Sequence, residues 1–322
     1  MPQFFKYILH KEIKLNIKDT ERNFEMELRV LEYFLAVARE QNITKAAEQL
    51  HLTQPTLSRQ LIELEEEFGK KLFIRGKRKV TLTEDGLFFR KRAEEIVSLA
   101  KRTESEMKTS DSLISGDIYI GTGESIAIRN LISVAHKIQT ENPGIHFHIT
   151  SGDSVDLAER LEKGLFDFCV LFGDIDQSKY EYLRLPYVDR WGVLMRSDSP
   201  LAANDVVETK DLWDLPLILS RHSLQSVNFF RWLGKDAAEL KIVNTYNLVY
   251  NSTFMAEEGM GYVLTLDNLV NTNGTTLSFR PIVPENTIDL YIVWKKYQSQ
   301  SKAAEKFIEA MENHIENCII SK

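Results

Sequence analysis

The chain has 322 residues, 43% of them hydrophobic and 27% charged, with a formal net charge of −7 and two cysteines. That length suits two or three domains. No apolar run approaches the roughly 18 residues a membrane span requires, and two cysteines make neither a disulfide framework nor a metal-ligand spacing, so a membrane-spanning or disulfide-stapled class is excluded and a reducing, cytoplasmic setting is expected. The charge is unevenly spread: residues 26–110 hold 16 basic against 14 acidic side chains, and residues 111–322 hold 19 against 29. Gly69–Lys79 carries six basic residues and no acidic one, so only the front of the chain is suited to meet phosphate.

Residues 1–25 lack both an uninterrupted apolar core and a small-residue cleavage site, which argues against a secretory signal. They are expected to be a non-native or disordered extension from an upstream start, with Met26 as the fresh beginning. Lys11, Lys14 and Lys18 on one helical face leave a docking arm as the alternative. Met26–Arg39 places Val30, Leu31, Phe34, Leu35, Val37 and Ala38 at helical spacing. Ile43–Leu50 follows as a short helix, with Thr44 as its expected cap and Ala46-Ala47 small enough for close helix crossing. His51-Leu52 makes a turn. Thr53 is expected to cap the next helix, and Pro55 suits a first turn, where its missing N–H has no intrahelical partner. Leu57, Leu61, Leu64 and Phe68 fall on one face of that helix, leaving Pro55, Thr56, Ser58 and Arg59 on the other. Gly69 stops it. Lys71–Arg75 and Lys79–Thr83 read as strands of a hairpin with the basic tip Gly76-Lys77-Arg78.

Two helices with a tight turn and then a basic hairpin make a winged helix-turn-helix, an α-helical DNA-reading unit. A recognition helix fits the major groove and points its first residues at base edges. Gln54 can reach an adenine edge, Thr56 and Ser58 can bond base or phosphate, and Arg59 can hold a phosphate or read a guanine. Arg75, Lys77 and Arg78 suit the flanking backbone or the minor groove. Arg59 by itself would read as a solvated charge; the order of elements gives it meaning. Thr83 is expected to cap a long linker helix reaching about Ser110, in which Phe89, Ala93, Ile96, Ala100, Thr103 and Met107 form a heptad seam for a second copy. A single amphipathic helix lying on its own domain is the competing reading.

After Ser115-Gly116 strands and helices alternate, which points to a mostly parallel α/β domain. Strands are expected at Asp117–Gly121, Ile145–Thr150, Asp167–Phe172, Trp191–Met195, Leu217–Leu219, Ile242–Tyr246, Tyr262–Leu266 and Ile288–Trp294. Helices are expected at Ser125–Thr140, Val155–Lys163, Leu224–Leu233, Leu248–Glu258 and Lys302–Ile319. Crossovers near Tyr187–Arg190 and Arg280–Pro284 would divide it into two lobes, 114–188 with 284–322 and 189–283.

The stretches AAEQLHLTQPTLSRQLIELEEEFG and KLFIRGKRKVTLTEDG resemble the N-terminal domain of LysR-type transcriptional regulators, over about 60 residues almost without a gap. The resemblance implies a DNA-binding domain over 26–83, a dimerising linker helix over 84–113 and a periplasmic-binding-protein-like effector domain over 114–322. It places Gln54, Pro55, Thr56, Ser58 and Arg59 at double-stranded DNA with Arg75 and Arg78 on the wing, and implies a homodimer assembled into a tetramer, with RNA polymerase as a candidate partner. The resemblance beyond residue 116 is one of architecture more than motif, and the first 25 residues depart from the family pattern.

In two-lobed α/β domains, ligands sit at strand C-termini and helix N-termini. That selects Thr122, Gly123, Glu124, Ser125, Gly152, Asp153, Ser154 and Phe172 from the first lobe, and Ser220, Arg221, Tyr246 and Asn247 from the second, for a small-molecule effector of unknown identity. Each Ser or Thr has helix capping as its alternative role, and Glu124 and Asp153 have helix-dipole compensation. Two acids in a cleft would disfavour a simple dicarboxylate and suit a neutral or amine-bearing ligand. No cofactor or metal is expected: His146 and His148 share a strand face but lack a third ligand, and Gly121-Thr122-Gly123 lacks the rest of a dinucleotide fingerprint. Two rival classes are a cytoplasmic solute-binding protein with a helical docking domain, and an enzyme that uses a helix-turn-helix to find DNA. The missing secretion signal with the basic wing opposes the first, and the missing acidic metal cluster opposes the second.

Overall fold

The computed structural model describes residues 26–76, 79–108, 114–173 and 175–320, which leaves the expectations for residues 1–25, Lys77 and Arg78 outside the described residues. The chain divides after Glu104 into two compact units.

The first unit opens with α1 (Leu28–Glu40), which buries Leu31, Phe34 and Val37. In α2 (Ile43–Gln49) the cap is Asn42, not the expected Thr44: the Asn42 side chain accepts from Lys45 N at 3.1 Å, and Thr44 already lies inside the helix. In α3 (Gln54–Phe68) Thr53 does cap, accepting from Thr56 N at 3.4 Å, and Gly69 ends the helix at φ 63°, a left-handed conformation that favours glycine. Leu57, Leu61 and Leu64 join the α1 residues and Ala46-Ala47 in one core. The short strands β1 (Phe73–Arg75) and β2 (Val80–Leu82) pair antiparallel, with Arg75 opposite Val80. Next comes α4 (Glu84–Lys108), whose first turn Thr83 caps by accepting from Gly86 N at 2.9 Å.

The seam expected on α4 divides. Phe89 stacks edge-on against Phe34 and Phe68, with centroids 4.8 and 5.0 Å away, and Ala93 is fully buried in the same core. These two residues serve their own domain, because tertiary packing takes the N-terminal half of an apolar stripe that sequence spacing assigned to a second chain. Beyond them Ile96, Leu99 and Met107 are exposed, as is Phe88.

The second unit runs β3 (Gly116–Thr122), α5 (Ile128–Glu141), β4 (Ile145–Ser151), α6 (Ser154–Glu162), β5 (Phe168–Phe172), β6 (Tyr180–Arg196), β7 (Val207–Glu208), β8 (Leu217–Ser220), α7 (Val227–Leu233), β9 (Ile242–Tyr246), α8 (Val249–Glu257), β10 (Tyr262–Leu266), β11 (Leu277–Val283), β12 (Thr287–Lys295) and α9 (Lys302–Ile320). Strand order β4-β3-β5-β12-β6-β10-β8-β9 carries it through two lobes, with β11 beside β6 and β7. The expectation of a mostly parallel sheet is corrected to a mixed one. β3–β4, β3–β5, β8–β9 and β8–β10 are parallel, but β6 and β12 run antiparallel to their neighbours.

β6 is the spine. Tyr180–Arg190 pairs with β12 in lobe I, and Trp191–Arg196 pairs with β10 and β11 in lobe II, so the chain crosses between lobes at Arg190-Trp191. The return crossing lies between β11 and β12. Each lobe has helices on both sheet faces: α5 and α9 cover Ile118, Ile120, Phe168 and Ile292, while α6 covers Phe166, Cys169 and Val293. In lobe II one face buries Trp191, Leu219, Phe229 and Phe230, and α8 covers Leu194, Ile218 and Val263 on the other.

Candidate functional site

In the first unit, Gln54, Pro55, Thr56 and Arg59 are exposed at the start and along the outer face of α3, opposite buried Leu57 and Leu61. Four of the expected residues already have partners. The Thr56 hydroxyl lies 2.8 Å from that of Thr53, Arg59 Nε donates to Glu63 Oε1 at 2.8 Å, and Arg75 reaches from the wing to Ser58 Oγ at 3.4 Å. The Glu63 carboxylate, through its hydrogen bond and its charge, raises the Arg59 pKa further above its ordinary value.

Beneath that surface is a residue the sequence did not single out. Glu65, 2% exposed, accepts from Leu72 N at 2.9 Å and Phe73 N at 3.0 Å, and it receives the Lys71 ammonium at 3.1 Å. Burial alone would raise its pKa, but the bonds from Phe73, Lys71 and Leu72 hold it below the usual carboxylate range. Glu65 thereby anchors the wing to α3. In the acidic run Glu63–Glu67 its spacing to Leu61 and Leu64 was the sole sign of burial.

In the second unit, ten of the twelve expected effector residues line one cavity of about 90 Å³: Gly123, Glu124, Gly152, Asp153, Ser154 and Phe172 from lobe I, and Ser220, Arg221, Tyr246 and Asn247 from lobe II. The other two do not. Thr122 and Ser125 are buried behind it, the first donating to Gly123 O and the second accepting from Ala127 N at 3.0 Å, with the Ser125 hydroxyl also near the Asp189 carboxyl. Asp153 lines the cavity but caps α6, with Oδ1 accepting from Val155 N and Asp156 N at 3.1 and 3.0 Å. Ser220 is engaged with Ser223 at 2.6 Å, and the Tyr246 hydroxyl donates to Leu264 O at 2.7 Å. Gly123 is required by packing, since a Cβ there would sit 2.2 Å from the Phe172 ring.

The walls that sequence reasoning missed are mostly apolar: Trp191, Leu248, Leu266, Leu269 and Ile288, with Thr265 among them. Thr265 and Leu266 end β10, so the strand-terminus rule that selected Ser220 and Tyr246 would have found them. Trp191 and Ile288 flank the crossovers and carried no such signal. A second cavity of about 610 Å³ shares Phe172, Trp191, His222 and Ile288 and adds Gln225, Asn228 and Asn286. Together the two reach the range of roughly 300–1,000 Å³ usual for small-molecule sites.

Two further acids stand near this cleft. Burial raises the pKa of half-buried Glu124, and the Val249 N–H it accepts draws it partly back. Asp189, 2% exposed, lies one residue before Arg190, and neither of its oxygens has a hydrogen-bond partner among the described residues. Burial pushes its carboxyl up to about 6; the nearby Ser125 hydroxyl offsets part of that, and the Asp267 charge adds to it. Among the described residues no group of three His, Cys, Asp or Glu is placed to hold a metal, and no described helix is long and apolar enough to cross a membrane.

Comparison with known proteins meets both units. The model for bacterial regulatory helix-turn-helix proteins of the lysR family matches residues 28–87, and that for the LysR substrate binding domain matches residues 111–316. The HTH-type transcriptional regulator BsdA of Bacillus subtilis is 35% identical over 198 residues, covering 61% of this chain and 67% of BsdA. The Hca operon transcriptional activator HcaR of Escherichia coli is 28% identical over 280 residues, covering 84% of this chain and 92% of HcaR. Full-length BenM is 26% identical with a TM-score of 0.51, over 92% of this chain and 97% of BenM. Full-length CbnR, solved with its target DNA, shares the fold at a TM-score of 0.69 and 19% identity, over 90% of this chain and all of CbnR. The chain belongs to the LysR family: it is a DNA-binding transcriptional regulator that joins a helix-turn-helix to a LysR substrate-binding domain.

Proposed function

We propose that this regulator is controlled by a small-molecule effector held between the lobes of its second unit. One observation carries the reading: loops from separate strands of both lobes, ten residues expected from strand and helix termini, converge on a single cavity beside the strand that crosses between lobes. A ligand touching both lobes shifts one against the other, and so biases the state of the DNA-binding unit. The effector is neutral or amine-bearing. Asp153 is used as a helix cap, but Glu124 remains in the cavity wall; the Arg221 guanidinium, which has no hydrogen bond or ion pair among the described residues, is left to donate to an uncharged acceptor on the ligand.

At the DNA, Gln54, Pro55, Thr56, Ser58 and Arg59 face the major groove, and Arg75, Lys77 and Arg78 meet the flanking backbone. Arg59 and Arg75 exchange their intramolecular partners for phosphate or base on binding. The working form is a cytoplasmic homo-oligomer, a dimer or pair of dimers, with RNA polymerase as a further partner. Its α4 contact is the exposed stripe Phe88, Ile96, Leu99 and Met107 with Ala100 beside it, residues that fall within an arc of about 100°.

A thermal-shift screen of the full chain against small neutral, amine and carboxylate compounds tests the effector reading. A hit is expected to lose roughly tenfold or more in affinity on Arg221→Ala or Phe172→Ala. Hits insensitive to both changes would rule the cleft out as the effector site.

A further inference from the structure

α8 starts badly by its own sequence. Its N-cap is Leu248, a side chain with nothing to accept a hydrogen bond, so the first-turn N–H groups lack local capping. The acceptor comes from the opposite lobe. Glu124, in the loop after β3, brings Oε2 to the backbone N–H of Val249. The bond crosses the cleft, and its lobe II end is fixed, because Val249 is buried in the α8 core with Tyr246 and Ala256. A carboxylate at a helix N-terminus is favoured by the helix dipole as well as by the bond, and Glu124 is half-buried. A free carboxylate ligand entering this cavity would seek the same amide.

We propose that Glu124 is a built-in stand-in for a ligand carboxylate: from across the cleft it occupies the amide that opens α8, ties the two lobes together without ligand, and denies that position to carboxylate ligands. The inference rests on the cleft being the effector site and sharpens its specificity. An effector that leaves the tie in place is neutral at this end or presents an ammonium to the carboxylate. A ligand read through its own carboxylate must find another donor, and Arg221 lines the same cavity.

Chemical rescue tests this with the full-length chain. Glu124→Ala removes the carboxylate and leaves a space that formate can fill; Glu124→Gln keeps an acceptor oxygen but no charge. Hydrogen exchange at the Val249 amide is followed by mass spectrometry, with chloride as the ionic-strength control. The wild-type amide is expected to be protected and indifferent to formate. In Glu124→Ala its exchange rises by roughly tenfold or more, as loss of a charge-assisted bond implies, and formate restores protection saturably. Glu124→Gln stays protected and does not respond. Unchanged exchange in Glu124→Ala, or formate acting equally on wild type and variant, overturns the proposal. The two readings separate cleanly: rescue by formate with effector hits indifferent to both Arg221→Ala and Phe172→Ala keeps the tie and discards the cleft as effector site, and the opposite pair of results does the reverse.

Discussion

Asp189→Asn should stabilise the second unit, and the gain should depend on pH. Asp189 sits on β6 beside the interlobe crossing, 2% exposed, with both oxygens unpartnered among the described residues. Burial moves its pKa from an ordinary value near 3.8 to about 6. The folded state therefore binds this proton more tightly than the unfolded state, and stability falls as pH rises through the window between those values. At 1.36 kcal/mol per pH unit the ionised form costs about 3 kcal/mol, fully expressed above about pH 6 and absent below about pH 4. Asparagine keeps the shape and remains neutral. Chemical denaturation of the full chain, following the second unit at pH 5 to 8, should show the variant's advantage growing and then levelling at about 3 kcal/mol. For a unit of this size that amounts to roughly 6–12 °C in melting temperature. A pH-independent difference, or a variant less stable than wild type at pH 7.5, would show that the carboxylate has a cationic partner and refute the reasoning.

Other changes probe the first unit. Glu65→Ala should cost about 2–3 kcal/mol by leaving the Leu72 and Phe73 N–H groups unsatisfied. Because its folded pKa is lowered, the Glu65 contribution is full above the ordinary carboxylate range and lost as pH falls below it, so the penalty should shrink in acid, as urea titration across pH will show. Arg59→Ala and Arg75→Ala should weaken binding across DNA sequences and lower the log–log salt slope by about 1 for each phosphate no longer neutralised, measured by fluorescence anisotropy. Unaltered slopes would take both side chains off the backbone. Leu99→Glu on the exposed stripe of α4 should shift sedimentation toward monomer without lowering the melting temperature of the first unit; an unchanged oligomer would exclude that stripe as the interface.

Much of this was legible in the chain because local chemistry dictated it. Thr53, Pro55 and Gly69 mark the ends of α3, and the strand-terminus rule located most of the cleft. What was missed depended on partners distant in sequence. Glu65 looks solvated until Leu72 and Phe73 turn back onto it. Phe89 and Ala93 fit a heptad, yet Phe34 and Phe68 claim that face. The strand Leu277–Val283 was hidden by Pro281, which lacks an N–H and stands where pairing with β6 ends and pairing with β7 begins. The first half of β6, Tyr180–Arg190, has charges and Pro186 within it and carries no apolar run. Asp189 stays invisible because nothing local predicts the burial of a carboxylate between two lobes.

The central claim is that α3 reads DNA, and binding to the intergenic DNA upstream of the chain's own coding sequence tests it most directly. The full chain, measured by fluorescence anisotropy at fixed salt, should bind that DNA roughly 10³-fold or more tightly than scrambled sequence. Gln54→Ala with Ser58→Ala should erase most of that preference while leaving salt-dependent, non-specific binding. Equal affinity for both DNAs, or a preference untouched by the double change, would contradict the claim.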